Sequence, residues 1–235
     1  MTSAPDRPRR ALLALAIGSF GIGMTEFVVM GLLPEIAREL LPSAWATSQE
    51  DAIAQAGWLI TLYALGVVIG APTIAASVAK YPRHRVMILL AGALTLFNAL
   101  TLVLPTFELV AASRLLAGLP HGAYFGIGAL VAADVMGPGN RAKGVAFVLT
   151  GLTVANVVGV PLGTFLGQNL GWRWAFVLVV VIFAAATVAI ALTVPHRPGE
   201  PSRTLRAELA VFRIGQVWFA LGIGAIGFGG FFAVY

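Results

Sequence analysis

Seven uninterrupted apolar runs dominate this chain, and each is long enough to cross a lipid bilayer. They occupy residues 11–33, 57–79, 86–104, 109–135, 142–167, 174–194 and 215–235. A helix needs about 20 apolar residues to span a hydrocarbon core of about 30 Å. No water is available there to satisfy N–H and C=O groups, so each run is predicted to be a helix that closes its own backbone hydrogen bonds. The expected fold class is an all-α membrane protein. Composition removes the soluble alternative, because 59% of the residues are hydrophobic and 11% charged, which leaves too few polar side chains to cover a water-soluble core. A water-soluble enzyme is excluded. The first run carries Glu26 and no small-x-small cleavage site follows it, so it reads as a retained span and not as a secretory leader.

Charge sits between the runs. The net charge is +5, but the basic residues are not gathered on one stripe, so no nucleic-acid partner is expected. They read as topology signals under the positive-inside rule. With a cytoplasmic N-terminus, one side holds Arg7, Arg9, Arg10, Lys80, Arg83, Arg85, Arg141, Lys143, Arg197, Arg203, Arg206 and Arg213. The other side holds only Arg38 and Arg173, and Arg114 lies within a span. The loop 34–56, with Glu35, Glu39, Glu50 and Asp51, then faces outside. Segment 195–214 faces inside, where Leu205, Leu209 and Phe212 recur at helical spacing; a surface helix and a solvated linker fit it equally. The expected location is the inner (plasma) membrane, multi-pass in the lipid bilayer. The chain has no cysteine, hence no disulfide and no thiolate site; no metal or cofactor is expected.

A repeat is hidden in the runs. Gly66-Val67-Val68-Ile69-Gly70-Ala71-Pro72 resembles Ala155-Asn156-Val157-Val158-Gly159-Val160-Pro161 at an offset of 89 residues. An offset of 88 carries Glu26 onto Arg114 and Arg85 onto Arg173. Three spans per unit is odd, so the second unit is inverted in the membrane. Inverted three-helix repeats recur in secondary transporters, with substrate sites near the midplane at the repeat interface. The predicted architecture is a six-helix bundle over 1–194 built as an inverted 3+3 repeat, a cytoplasmic linker over 195–214, and the start of a second bundle at 215–235. Because the last run lacks a polar end, the chain is expected to be the truncated or incompletely translated half of a twelve-helix transporter, unable to transport alone. Gly222-Ile223-Gly224-Ala225-Ile226-Gly227 fits G-x-G-x-x-G but lies in an apolar run with no preceding strand, so it is no nucleotide site. Walker, H-E-x-x-H and G-x-S-x-G motifs are absent from the sequence.

Three motifs then carry a family resemblance. Thr25-Glu26-Phe27, followed by Gly31-Leu32-Leu33-Pro34-Glu35-Ile36-Ala37, resembles a first-helix signature of proton-coupled drug exporters of the major facilitator superfamily, the subgroup with sugar-efflux and chloramphenicol-resistance-like members. Arg114-Leu115-Leu116-Ala117-Gly118 resembles the fourth-helix arginine motif, with Ala117 at the usual polar position. Gly151 through Gly159-Val160-Pro161-Leu162-Gly163 resembles the fifth-helix antiporter motif, which the family links to export. The resemblance covers nearly the whole chain and implies proton-coupled efflux of small, amphipathic, drug-like molecules. Ala79-Lys80-Tyr81-Pro82-Arg83-His84-Arg85 stands where the family has D-R-x-G-R-[RK], with Ala79 replacing the Asp and Pro82 the Gly. The resemblance therefore implies an inner-gate loop of Lys80, Arg83 and Arg85 whose locking carboxylate comes from elsewhere, with Asp134 as the candidate. The loop between Leu40 and Gln55 is longer than the family usually carries.

Ionisable groups inside spans are functional by default, since a buried charge costs at least ~2.5 kcal/mol on insertion scales. Glu26 and Arg114 are predicted at similar depth below one surface, and they meet if the first and fourth helices are neighbours. An adjacent arginine favours the ionised carboxylate and burial the protonated acid, so a changing environment makes Glu26 a proton carrier; a static ion pair is the alternative. His121 follows Arg114 by two turns and either relays a proton or is a neutral histidine bonded to a neighbouring helix. Asn98 and Asn156 either line a substrate cavity or bond between helices. Gly118, Gly122 and Gly126, with Gly151, Gly159 and Gly163, form small-residue stripes for close helix packing, and Pro161 breaks one backbone bond to give a hinge. The leading reading is a proton-coupled exporter of small molecules. A sugar or amino-acid exporter is the alternative within transport, and a non-transporting membrane sensor or assembly subunit the alternative from another class.

Overall fold

The computed structural model describes residues 6–196 and 210–234. Among them, six helical stretches are long and apolar enough to cross a membrane: Pro8–Phe27, Gln49–Val78, Arg83–Val103, Phe107–Met136, Arg141–Leu170 and Trp172–Thr193. The helices are α1 (Asp6–Phe27), α2 (Leu33–Leu40), α3 (Pro42–Thr47), α4 (Gln49–Ala56), α5 (Trp58–Val78), α6 (Arg83–Val103), α7 (Phe107–Met136), α8 (Arg141–Val154), α9 (Val160–Leu170), α10 (Trp172–Thr193) and α11 (Gly215–Val234). No strand occurs among the described residues, as expected of an all-α membrane fold. The turns between spans have local causes. Gly137 ends α7 at φ 74° and Gly171 divides α9 from α10 at φ 105°, conformations that a side chain would oppose. Thr106 caps α7 by accepting from the Leu109 N–H at 3.5 Å.

Helix pairing follows the inverted repeat. α5 packs along α7, and α1 packs along α8 and α9; α6 meets α7 as α10 meets α1; α6 and α10 face each other. Exchanging the first three spans for the second three maps each of these pairings onto another or onto itself, as a pseudo-twofold axis requires, while the α7–α8 and α9–α10 contacts have no counterpart of similar extent. The glycine stripes create the closest of these approaches. Gly66 and Gly70 rest on the α7 backbone at Leu115, Gly118 and Leu119, while Gly151, Gly159, Gly163 and Gly167 rest on Ala16, Phe20, Met24, Val28 and Leu32 of the first span. Gly122 is filled against Ala71, but Gly126 has nothing within 4 Å, so that stripe serves packing only to Gly122.

Three sequence expectations change. The first α-helix stops at Phe27 instead of running to Leu33; a 3-10 turn at Met30–Leu32 follows, and Pro34 opens α2 at a position where its missing N–H is harmless. Segment 34–56, read in sequence as a loop, folds into α2, α3 and α4 around Ala37, Ala52 and Ala56, with Trp45 and Ile53 against them. The fifth span is one helix with a π-turn at Ala155–Gly159 between α8 and α9. Pro161 lies just beyond it in the first turn of α9, so the broken backbone bond is absorbed by a wider turn. Leu205 and Leu209 of the proposed surface helix lie outside the described residues; Phe212 falls in a 3-10 turn, Ala210–Arg213.

Candidate functional site

The α1/α7 crossing places Arg114 beside Glu26 without joining them. Arg114 is buried, 1% exposed. Its Nη1 donates to Thr25 Oγ1 at 2.8 Å and to Asn98 Oδ1 at 3.5 Å, and its Nη2 to the Thr25 carbonyl at 2.8 Å. Thr25 Oγ1 in turn donates to Asn98 Oδ1 at 2.6 Å. The guanidinium lies 4.2 Å from the Tyr63 ring centroid and 5.5 Å from that of Phe176, close enough for cation–π attraction at a buried site. The arginine thus ties α1, α5, α6, α7 and α10 together. Among the described residues neither a hydrogen bond nor an ion pair engages the Glu26 carboxylate. The alternative of a static Glu26–Arg114 ion pair is not what the helices form: the arginine holds the residue next to the glutamate, and the Glu26 side chain lines a cavity.

That cavity, about 610 Å³, is lined by Glu26, Phe27, His121, Phe125, Leu149, Leu152 and Asn156, with Ile223, Gly224 and Gly227 of α11 on its far side. Its volume is in the range of small-molecule sites, and its wall is apolar with few polar groups. His121 reaches it from α7, and its Nδ1 bonds the Tyr63 hydroxyl at 2.9 Å. The interhelix bond anticipated for a neutral histidine thus has a named partner, and the same ring faces the cavity. Asn98 does not line the cavity. It is fully buried, and its Nδ2 donates to the Leu94 carbonyl at 2.8 Å while its oxygen accepts from Thr25 and Arg114. Its assignment to the substrate cavity is corrected to an interhelix bond. Asn156 does line the cavity, carried there by the π-turn.

Two charged contacts lie outside the cavity. Arg83 at the start of α6 pairs with Asp134 near the end of α7, so a carboxylate from α7 meets the basic loop where Ala79 supplies none. Lys80 stacks on its neighbour Tyr81 at 5.3 Å, and Arg85 is exposed; neither joins that pair. At the opposite end, Glu39 of α2 accepts from Trp172 Nε1 at 2.9 Å and pairs with Arg173, whose Nε donates to the Leu102 carbonyl at 3.0 Å. This clasp fastens α2 to the ends of α6 and α10. Sequence reading missed the clasp, as it missed the parts played by Thr25, Tyr63 and Phe125. For Thr25 and Tyr63 the available signal was a polar side chain inside a span, but only packing reveals which partner it serves.

Known proteins resemble this chain in sequence and fold. The family profile of the Major Facilitator Superfamily matches residues 15–235. The inner membrane transport protein YdhP of Escherichia coli K12 is 39% identical over 224 residues, 95% of this chain and 55% of that protein. A chloramphenicol resistance protein of Streptomyces lividans is 29% identical, covering 92% of this chain and 54% of its own length. This chain spans about half the length of the curated relatives it matches. Among solved structures, the human organic anion transporter MFSD10 (TETRAN) superposes with a TM-score of 0.65 at 21% identity, covering 83% of this chain and 50% of that one, a likeness of fold alone.

Proposed function

The chain belongs to the Major Facilitator Superfamily, and from that premise we propose that it forms the N-terminal six-helix bundle of a membrane transporter that exports small amphipathic molecules in exchange for protons. Residues 1–194 form the bundle, 195–214 a cytoplasmic linker and 215–235 the first helix of a second bundle. The basic loops face the cytoplasm of an inner-membrane protein. One observation carries the reading: a carboxylate within a span, without a hydrogen bond or ion pair among the described residues, opens on a cavity of about 610 Å³. The neighbouring arginine is fixed by Thr25, Asn98 and two aromatic rings. A structural ion pair would have consumed both charges. Here Arg114 biases the potential at Glu26 while the carboxylate stays able to gain and lose a proton as water or substrate fills the cavity.

Other features fit rocking of one bundle against another. The Arg83–Asp134 pair latches the basic-loop side, with Lys80 and Arg85 as its exposed flank. The π-turn before Pro161 gives α8 and α9 a point at which to bend, and the glycine contacts of Gly118, Gly122, Gly151, Gly159 and Gly163 hold the two repeats together as one bundle. The drug-resistance relative favours efflux of drug-like compounds over sugars or amino acids. The test is Glu26→Gln in the complete transporter reconstituted in liposomes, with labelled chloramphenicol and a panel of amphipathic probes as cargo. Gradient-driven flux is expected to vanish while insertion and downhill counterflow persist. Undiminished proton-driven flux in Glu26→Gln removes Glu26 from the mechanism.

A further inference from the structure

We propose that Asn156 is a specificity-determining residue, whose side-chain carbonyl selects cavity occupants carrying an N–H or O–H donor on an apolar body; this rests on the cavity being the substrate path. A single bond fixes the sense of the amide. Nδ2 donates to the Leu152 carbonyl at 3.2 Å, and turning the amide over would set oxygen against oxygen. Oδ1 therefore points away from the backbone carbonyl of its own helix. It is buried and has no hydrogen-bond partner, a state uncommon in native proteins that calls for an explanation.

Asn98 supplies the contrast within the same bundle. There both ends of the amide are bonded, the oxygen twice, as expected of a residue that only joins helices. Asn156 has its nitrogen tied and its oxygen spare. The backbone explains its position: the Val160 N–H reaches back to the Ala155 carbonyl, five residues away, which widens the turn that carries Asn156 into the cavity wall. Such π-turns concentrate at functional sites. Around it, Leu149, Leu152 and Phe125 are apolar, and the Glu26 carboxylate is a second acceptor. A donor-bearing occupant gives the amide oxygen its bond after a small side-chain turn. An occupant without a donor leaves it unbonded, and sites built around a hydrogen bond discriminate against ligands lacking it.

Two probes of equal charge isolate the donor: 3-phenylpropylammonium, and its N,N,N-trimethyl counterpart, which has no N–H. Equilibrium dialysis on the purified complete transporter measures both. The wild-type protein is expected to bind the ammonium probe about tenfold more tightly, and Asn156→Ala to weaken that probe about tenfold while leaving the trimethyl probe unchanged. Asn156→Leu, which fills the same space without an acceptor, must repeat the result and serves if the alanine variant does not accumulate. Glu26→Gln should weaken both probes, because both are cations, and the ammonium probe at least as much as the trimethyl one. Equal loss of both probes in the Asn156 variants, or a wild-type protein that binds them equally, overturns the inference and leaves the cavity reading standing. A wild-type protein that binds neither overturns the cavity reading and the inference with it.

Discussion

Gly118 and Gly126 lie two turns apart on α7, and the same substitution should act in opposite directions at the two sites. A Cβ added at Gly118 would stand 3.0 Å from both Gly66 Cα and Val67 N, with the Tyr63 carbonyl closer still. All three obstacles are backbone, so no side chain can swing aside. Restoring contacts of at least 3.4 Å to the Tyr63 carbonyl requires α5 and α7 to part by about 1 Å or more along the contact. Overpacking of this kind costs about 1–3 kcal/mol. At Gly126 nothing lies within 4 Å, so Ala brings only its better helix propensity, up to about 1 kcal/mol. Gly118→Ala and Gly126→Ala should then differ by about 2–4 kcal/mol, or by at least about 4 °C in Tm for a bundle of this size. Thermal unfolding in detergent, followed by the fluorescence of the five native tryptophans, measures the difference. Equal Tm values for the two variants would refute the packing argument, because they would mean that α5 and α7 are not in backbone contact at Gly118.

Arg114→Lys should destabilise the bundle and abolish transport, since one ammonium cannot reproduce the two-pronged bonding to Thr25 and Asn98; wild-type flux and Tm in that variant would show the arginine to be a point charge only. Asp134→Asn and Arg83→Gln should each change the accessibility of the basic-loop side, and the double variant should do no more than either. The pair is partly exposed, at 27% and 33%, so its stability cost should stay within about 1 kcal/mol, and additive effects in a double-mutant cycle would deny the pairing. The chain has no native cysteine, so Arg85→Cys and Thr47→Cys, both exposed positions, report topology: an impermeant thiol reagent on intact cells should label the second and spare the first, and the reverse pattern would invert the orientation.

These perturbations act at the two levels on which the protein is specified. The sequence by itself determines that the chain is helical and crosses a membrane, because apolar runs of that length admit no other way to satisfy a backbone in lipid. It also reveals the repeat, since Gly66 and Gly70 and their counterparts Ala155 and Gly159 must be small wherever two helix backbones touch. Spacing cannot say which helix they touch. Only the tertiary structure decides that Gly118 is filled while Gly126 is open, although both satisfy the same stripe. The same holds for the polar residues. Insertion cost marks Glu26, Arg114, His121, Asn98 and Asn156 as expensive and therefore used, but the side chains that join Arg114, Asn98 and His121 to other helices lie 16 to 89 residues away in the chain. Arg114 goes to Thr25 and Asn98, which releases Glu26 to the cavity; His121 goes to Tyr63; Asn98 is consumed in a crosslink while Asn156 keeps an oxygen unbonded. A one-dimensional pattern records that a charge or amide must be satisfied. Which group satisfies it, and which is left over for a ligand, is settled by helix crossing, where distance in space and distance in sequence part company.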